Sequence, residues 1–112
     1  MATHTLDELI NKAASILGKL VAGETLGVVE YDTINGCVED VIDEIDSIVT
    51  ISDTSQIEGR YFLTLARLLA VHAAAEFSNA PLDLAAIQQH ESRLRYLAAA
   101  TPTYEALPVD FM

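Results

Sequence analysis

The chain has only one cysteine, Cys37, so it cannot form an internal disulfide. It has no tryptophan and three prolines, and six basic residues stand against seventeen acidic ones, giving a net charge of −11. This shortage of positive charge opposes non-specific binding to nucleic-acid phosphates, so we do not expect tight DNA binding. The same charge is compatible with a wall past which DNA slides, or with a partner that bears a basic patch.

Long hydrophobic runs are also missing, because Arg60, Arg67, His72 and Glu76 interrupt the longest candidate. We therefore expect no membrane span and no membrane partner. The acidic start of the chain lacks the basic region of a secretory signal, which predicts synthesis in the cytoplasm. At 112 residues, of which 51% are hydrophobic, the chain has the size and apolar content of one folded domain.

Apolar residues recur at helical spacing in the first half of the chain. Thr5 and Glu8 form the pattern of a capping box, which predicts the start of a helix that ends near Val21. A second helix is predicted from Val28, and β-branched residues leave open whether it ends before or after Ile48. Cys37 falls within this second helix, where a small buried thiol is the expected outcome.

Two more helices are predicted in the second half. A segment with almost no polar face covers residues 56–77, and Pro81 is placed at or near the first position of a helix that reaches about Ala100. The predicted fold is therefore all-α, a small four-helix bundle or orthogonal helical array over residues 1–102, with the third helix innermost.

The last ten residues, 103–112, have a different pattern. Leu107, Val109 and Phe111 alternate with Pro108 and Asp110, so an extended chain would place the three apolar side chains on one side. We predict an extended C-terminal arm that docks on a neighbouring protein. Folding back onto the chain's own helices, or fraying, is the alternative.

Motifs for catalysis or metal binding are sparse. His72 and Glu76 lie four residues apart, but a polar contact on one helix face explains them better than an acid and base pair. The acidic residues Asp40, Asp43, Glu44 and Asp46 lack the ligand spacing of a calcium loop and are expected on a solvated helix face. No phosphate-binding loop occurs. We therefore expect no enzyme activity, no metal and no cofactor.

Several short segments resemble the head-to-tail adaptor proteins of tailed bacteriophages. Residues 17–24 read LGKLVAGE, similar to the family phrase LG-x-L-x-AGE, and residues 69–77 read LAVHAAAEF, similar to LA-x-x-x-A-x-EF. The AAATPT of residues 98–103, followed by an apolar tail, is also similar to the family. Residues 38–43 follow the register of the family's second helix. Glu39 stands where asparagine is common, and residues 48–57 are shorter than the hairpin that many relatives insert.

This resemblance implies a structural function in the neck of the virion. It implies a ring of about twelve copies bound below the portal protein, in which each subunit contacts the next head to tail. Such a ring completes the head, seats the tail or nozzle protein, and lets DNA pass without tight binding. The portal-docking arm would use Tyr104, Leu107, Val109 and Phe111, and the acidic face of Asp40, Asp43 and Glu44 would line the channel or its rim.

Two other functions remain open from the sequence. The chain has the charge of a small acidic regulatory protein that binds a basic surface on a partner, such as a nucleic-acid-binding host factor. An enzyme that uses His72 and Glu76 ranks behind both the adaptor and the regulator.

Overall fold

The computed structural model describes residues 3–20 and 23–99. In chain order the elements are β1 (Thr3–His4), α1 (Leu6–Ile16), α2 (Val28–Ile45), β2 (Ile57–Glu58), α3 (Gly59–Ser78) and α4 (Leu84–Ala99). Four helices and one two-stranded antiparallel sheet thus form an array in which helices dominate, which confirms the all-α prediction. No helix in this part of the chain has the length and hydrophobicity needed to cross a membrane.

Helix α3 is the centre of the array, as predicted. It contacts α1, α2 and α4, and its buried residues include Leu65, Leu68 and Leu69. Leu9 and Ile10 of α1 and Val38 and Val41 of α2 belong to the same core. Helix α4 runs back along α3, and its buried residues are Ile87 and Leu94. Helix α3 is therefore covered by three helices, α1, α2 and α4.

The start of α1 follows the sequence prediction closely. The Thr5 side chain accepts a hydrogen bond from the amide of Glu8, and the Glu8 carboxylate accepts one from the amide of Thr5 at 2.8 Å. This reciprocal arrangement is the predicted capping box, which satisfies two amide groups that would otherwise lack partners at the helix start.

The predicted end of α1 near Val21 is wrong, because the helix ends at Ile16. Gly18 has a φ of 75°, its amide donates to the Ser15 carbonyl, and the amide of Lys19 donates to the Ala14 carbonyl at 2.8 Å. This is a Schellman motif, which closes a helix with a left-handed residue. Apolar periodicity continues beyond Gly18 in the sequence, but the backbone turn at this glycine stops the helix.

Helix α2 begins at Val28 as predicted and ends at Ile45, which places its end before Ile48. The third helix starts at Gly59 instead of residue 56, because Ile57 and Glu58 pair with His4 and Thr3 in the small sheet. A strand of two residues has too few side chains for an alternating pattern, so the sequence did not predict it.

The position predicted for Pro81 is also wrong. Helix α3 ends at Ser78, where Asn79 adopts a left-handed φ of 53°, and α4 begins only at Leu84. The Asp83 carboxylate accepts a hydrogen bond from the amide of Ala86 at 3.1 Å and so caps α4. Pro81 therefore lies in the connection between the two helices.

Candidate functional site: an acidic cleft

A cleft of about 490 Å³ opens between α2, α3 and the connection that leads to α4. We call it the acidic cleft, because four carboxylates line it together with one histidine and one cysteine. The lining side chains that can carry charge or donate protons are Asp32, Cys37, Asp40, Glu44, His72 and Glu76.

Helical spacing explains why α2 and α3 bring these groups together. Cys37, Asp40 and Glu44 are three and four residues apart on α2, so they follow one flank of the helix. His72 and Glu76 are four residues apart on α3 and form the facing wall. Because the two helices pack against each other beneath this wall, their polar flanks enclose a concave surface.

His72 is the most buried polar group of the cleft, with 7% of its surface exposed. Its Nε2 atom lies 3.7 Å from Oε1 of Glu44 on α2. The sequence placed His72 beside Glu76, and the structure puts both residues in the same cleft. The side-chain contact of His72 with a carboxylate, however, crosses to the neighbouring helix. This contact holds the imidazole of His72 against the acidic wall of α2.

Cys37 lies at the base of the cleft as a buried thiol, which confirms the sequence prediction. Burial raises the pKa of the Cys37 thiol, and the nearby carboxylates of Glu76 and Asp40 raise it further. The sulfur donates a long hydrogen bond of 3.6 Å to the Thr33 carbonyl. A thiol with a raised pKa remains protonated at neutral pH, so Cys37 is a poor nucleophile in this setting.

The three acidic residues predicted as one face are divided by the structure. Asp40 and Glu44 line the acidic cleft, whereas Asp43 is exposed outside it. One residue of helix turns the side chain by about 100°, so Asp43 and Glu44 project in different directions. The residues predicted for the docking arm, Tyr104, Leu107, Val109 and Phe111, lie outside the described residues.

The acidic cleft is suited to a cationic group. Among residues 3–20 and 23–99, no set of three or more histidine, cysteine or acidic side chains has the arrangement of a metal site. The carboxylates are distributed along the walls and do not converge on one point. Separate carboxylates on two walls fit a guanidinium or ammonium group, which offers several donors pointing in different directions.

Sequence reasoning missed two parts of this region. Asp32, Thr33 and Gly36 line the cleft, but nothing in their spacing distinguishes them from other residues of α2. The second part is a group of exposed apolar side chains near the carboxyl end of α3, which we call the apolar end. It consists of Val28, Val29, Leu82 and Leu84, with exposed fractions of 76%, 71%, 39% and 66%.

Contacts along the acidic cleft show how the residues of the apolar end are placed relative to one another. Thr33 and Leu82 line the same cleft, and the Thr33 hydroxyl donates to the Val29 carbonyl at 2.8 Å, one turn earlier on α2. Leu84 follows Leu82 by two residues, as the first residue of α4. The start of α2 and the start of α4 therefore lie at the same end of the molecule, and each exposes apolar side chains there.

Comparison of the chain with protein-family models, curated proteins and solved structures finds no significant match.

Proposed function

We propose that this chain is a structural head-to-tail adaptor of a tailed bacteriophage, forming a ring below the portal protein. The ring completes the head, seats the tail or nozzle protein, and encloses a passage for DNA. One observation carries the proposal beyond the sequence resemblance: two of the resembling segments, far apart in the chain, meet in space. Lys19 of the LGKLVAGE segment lies over the ring of Phe77, the last residue of the LAVHAAAEF segment, at 4.8 Å from its centroid.

The apolar end supports an assembly function. Val28, Val29 and Leu84 each expose about two thirds or more of their surface at the starts of two helices. Clustered exposed apolar side chains on a soluble domain are typical of surfaces that contact another protein. In the proposed ring, this end of the subunit binds the tail or nozzle protein.

The opposite end of the subunit would then face the portal. Helix α4 returns along α3 from a short connection, so its last residue, Ala99, lies toward the start of α3 and away from the apolar end. Docking of the C-terminal arm on the portal stays a prediction from the sequence.

A portal-binding experiment tests the proposed function. Electron microscopy of the purified chain mixed with the portal protein of the same genome should show a ring of about twelve copies below the portal. The variant with Val28→Asp and Val29→Asp should still join the portal, and the resulting particles should fail to acquire tails, because charge replaces an apolar contact.

The matched control is Gln88→Asp with Gln89→Asp, two exposed positions on α4 that lie outside the apolar end. Particles with this control should acquire tails normally. Absence of any portal-bound ring would refute the adaptor function, and normal tail attachment by the Val28 and Val29 variant would refute the function of the apolar end.

The acidic outer stripe of α2 provides a lumen surface for the proposed ring. Glu39 and Asp43 of α2, and Asp46, which caps the end of that helix, are exposed and follow one another at three- and four-residue steps. In a ring that places this stripe inward, like charge repels DNA phosphates and keeps the DNA mobile.

Charge reversal tests the lumen surface. Particles that carry Glu39→Lys and Asp43→Lys should eject DNA more slowly than wild type, because lysine attracts phosphate and holds the DNA against the wall. The slowing should be greatest at low salt and should shrink as added ions screen the charges. Ejection kinetics identical to wild type at low salt would show that the stripe does not face DNA.

The second candidate function is an acidic regulator that binds a basic surface of one partner. The acidic cleft favours it, since its carboxylates outnumber its single histidine. Mass measurement separates the two functions. A stable one-to-one complex with a basic protein supports the regulator, whereas a ring of many copies bound to the portal supports the adaptor.

A further inference from the structure

The side of the molecule formed by α3 and α4 carries an exposed group of basic and apolar residues. We call it the arginine face and define it by Leu63, Arg67, Arg93 and Tyr96. The guanidinium of Arg93 lies over the ring of Tyr96 at 5.1 Å from its centroid, and Tyr96 exposes 62% of its surface. Leu63 lies one turn before Arg67 on α3 and is 41% exposed.

Helix α4 brings its arginine close to that of α3. Helix α4 runs back along α3 after a short connection, so Arg67, which lies eleven residues before the end of α3, is level with the part of α4 that holds Arg93 and Tyr96. In agreement with this placement, burial lowers the pKa of His90 on α4, and the positive charge of Arg67 lowers it further. Arg93 follows His90 by three residues and so extends the same flank of the helix. The two arginines therefore belong to one surface built from two helices.

The charge of this surface is not balanced locally. Among the described residues, no carboxylate lies within ion-pair distance of Arg67 or Arg93, whereas Arg95 on the same helix pairs with Glu91 at 3.9 Å. In a chain of net charge −11, two exposed arginines that pair with no carboxylate of residues 3–20 and 23–99 are a distinctive feature. Tyrosine and arginine are also the residues that most often dominate binding at protein interfaces.

The arginine face and the acidic cleft lie on opposite sides of α3. Glu76, in the wall of the cleft, is nine residues from Arg67, which at about 100° per residue corresponds to a rotation of roughly 180°. His72, the other polar wall residue of α3, is five residues from Arg67 and also points away from it. One molecule thus presents a negative concave surface on one side and a positive surface with an exposed tyrosine on the other.

We propose that the arginine face of one copy of this chain docks in the acidic cleft of the next copy. Two different surfaces on opposite sides of a subunit make a heterologous contact, which repeats from copy to copy and closes into a ring when the rotation allows. The partner is a second copy of this chain because both halves of the contact occur on it with opposite charge. The contact identifies the surfaces that would join neighbouring subunits of the proposed ring. It depends on the proposed function only for the closure of the assembly into a ring.

The chemistry of the contact follows from the two surfaces. Arg67 and Arg93 can each donate paired hydrogen bonds to a carboxylate, and Asp40 and Glu44 offer acceptors on one wall of the cleft. The cleft of about 490 Å³ has room for a guanidinium group and part of an aromatic ring. Occupation of the cleft also relieves the repulsion among its carboxylates.

Self-association of the purified chain tests the inference without any portal protein. Sedimentation equilibrium should show reversible oligomers, with an association constant at least tenfold larger at about 50 mM than at about 500 mM salt. The variant with Arg67→Glu and Arg93→Glu should be monomeric, and so should the variant with Asp40→Lys and Glu44→Lys. An equimolar mixture of the two variants should associate again, because each supplies the charges that the other face requires.

The control variant, Lys12→Glu with Arg95→Glu, changes the net charge by the same amount as the arginine-face variant but alters other positions. It should associate like wild type. Circular dichroism checks the fold of every variant, and Asp40→Asn with Glu44→Gln replaces the lysine variant if the latter unfolds.

Two results would overturn the inference. One is a wild-type chain that stays monomeric at low salt, and the other is a folded arginine-face variant that associates as strongly as the control. Failure of the adaptor function alone would give a different result: the chain would self-associate through these two faces but would not bind the portal. That result would refute the adaptor function and would leave the contact between copies supported.

Discussion

Replacement of Leu68 by alanine should lower the free energy of unfolding by about 2 to 5 kcal/mol, as is usual for large-to-small substitutions in a core. Leu68 is 1% exposed and lies on α3, the helix that contacts the three others. The truncated side chain would leave a cavity that the surrounding helices cannot fully fill. Chemical denaturation monitored by circular dichroism measures the change.

Leu63→Ala is the matched control for Leu68→Ala. It removes the same atoms from the same helix, but Leu63 is 41% exposed and should change stability by less than about 1 kcal/mol. Equal losses for both variants would contradict the central position of α3. A small loss at Leu68 alone would mean that this side of α3 is not packed in the core.

Two glycines should respond to alanine with opposite signs. Gly18→Ala should destabilise the fold by about 1 to 2 kcal/mol, because Gly18 has a φ of 75° and an L-residue is strained there. Gly36→Ala should stabilise the fold by about 0.5 to 1 kcal/mol, because Gly36 lies inside α2 with a helical backbone.

Differences in local packing do not explain the opposite effects expected for Gly18→Ala and Gly36→Ala. Apart from the adjacent backbone, a Cβ atom built at either glycine meets no atom within 4 Å, so the two substitutions differ mainly in backbone conformation. Thermal or urea denaturation of the two variants measures the result. Stabilisation by Gly18→Ala would show that the Schellman turn is not required, and the helix could then continue toward Leu20 as its apolar spacing suggests.

The sequence predicted the helices better than their ends. The capping box at Thr5 is a local motif, and the structure retains it. Apolar spacing continues through Gly18, and only the backbone conformation of this residue shows where α1 stops. Similarly, Pro81 can begin a helix, but Asp83 provides the side-chain cap in the folded chain. Several residues near a helix end can each stop or start the helix, and tertiary packing decides which of them does so.

The acidic cleft was less predictable than the fold. His72 and Glu76 were recognised as a pair by their spacing, whereas the contact between His72 and Glu44 joins two helices and depends on their packing. The division of Asp40 from Asp43 follows from helix geometry once the core face of α2 is known. The arginine face combines α3 with α4, and no spacing within one helix reveals such a surface.

The pairing of β1 with β2 has a consequence for synthesis on the ribosome. His4 pairs with Ile57, and α1 packs against α3 as well as α2, so β1 and the contacts of α1 with α3 have no partner until the middle of the chain has been made. At about 5 to 20 residues per second, this delay lasts on the order of 3 to 10 s. During that interval the core residues of the nascent α1, which include Leu9 and Ile10, lack their cover from α3, and this incomplete burial makes the segment a natural binding site for chaperones.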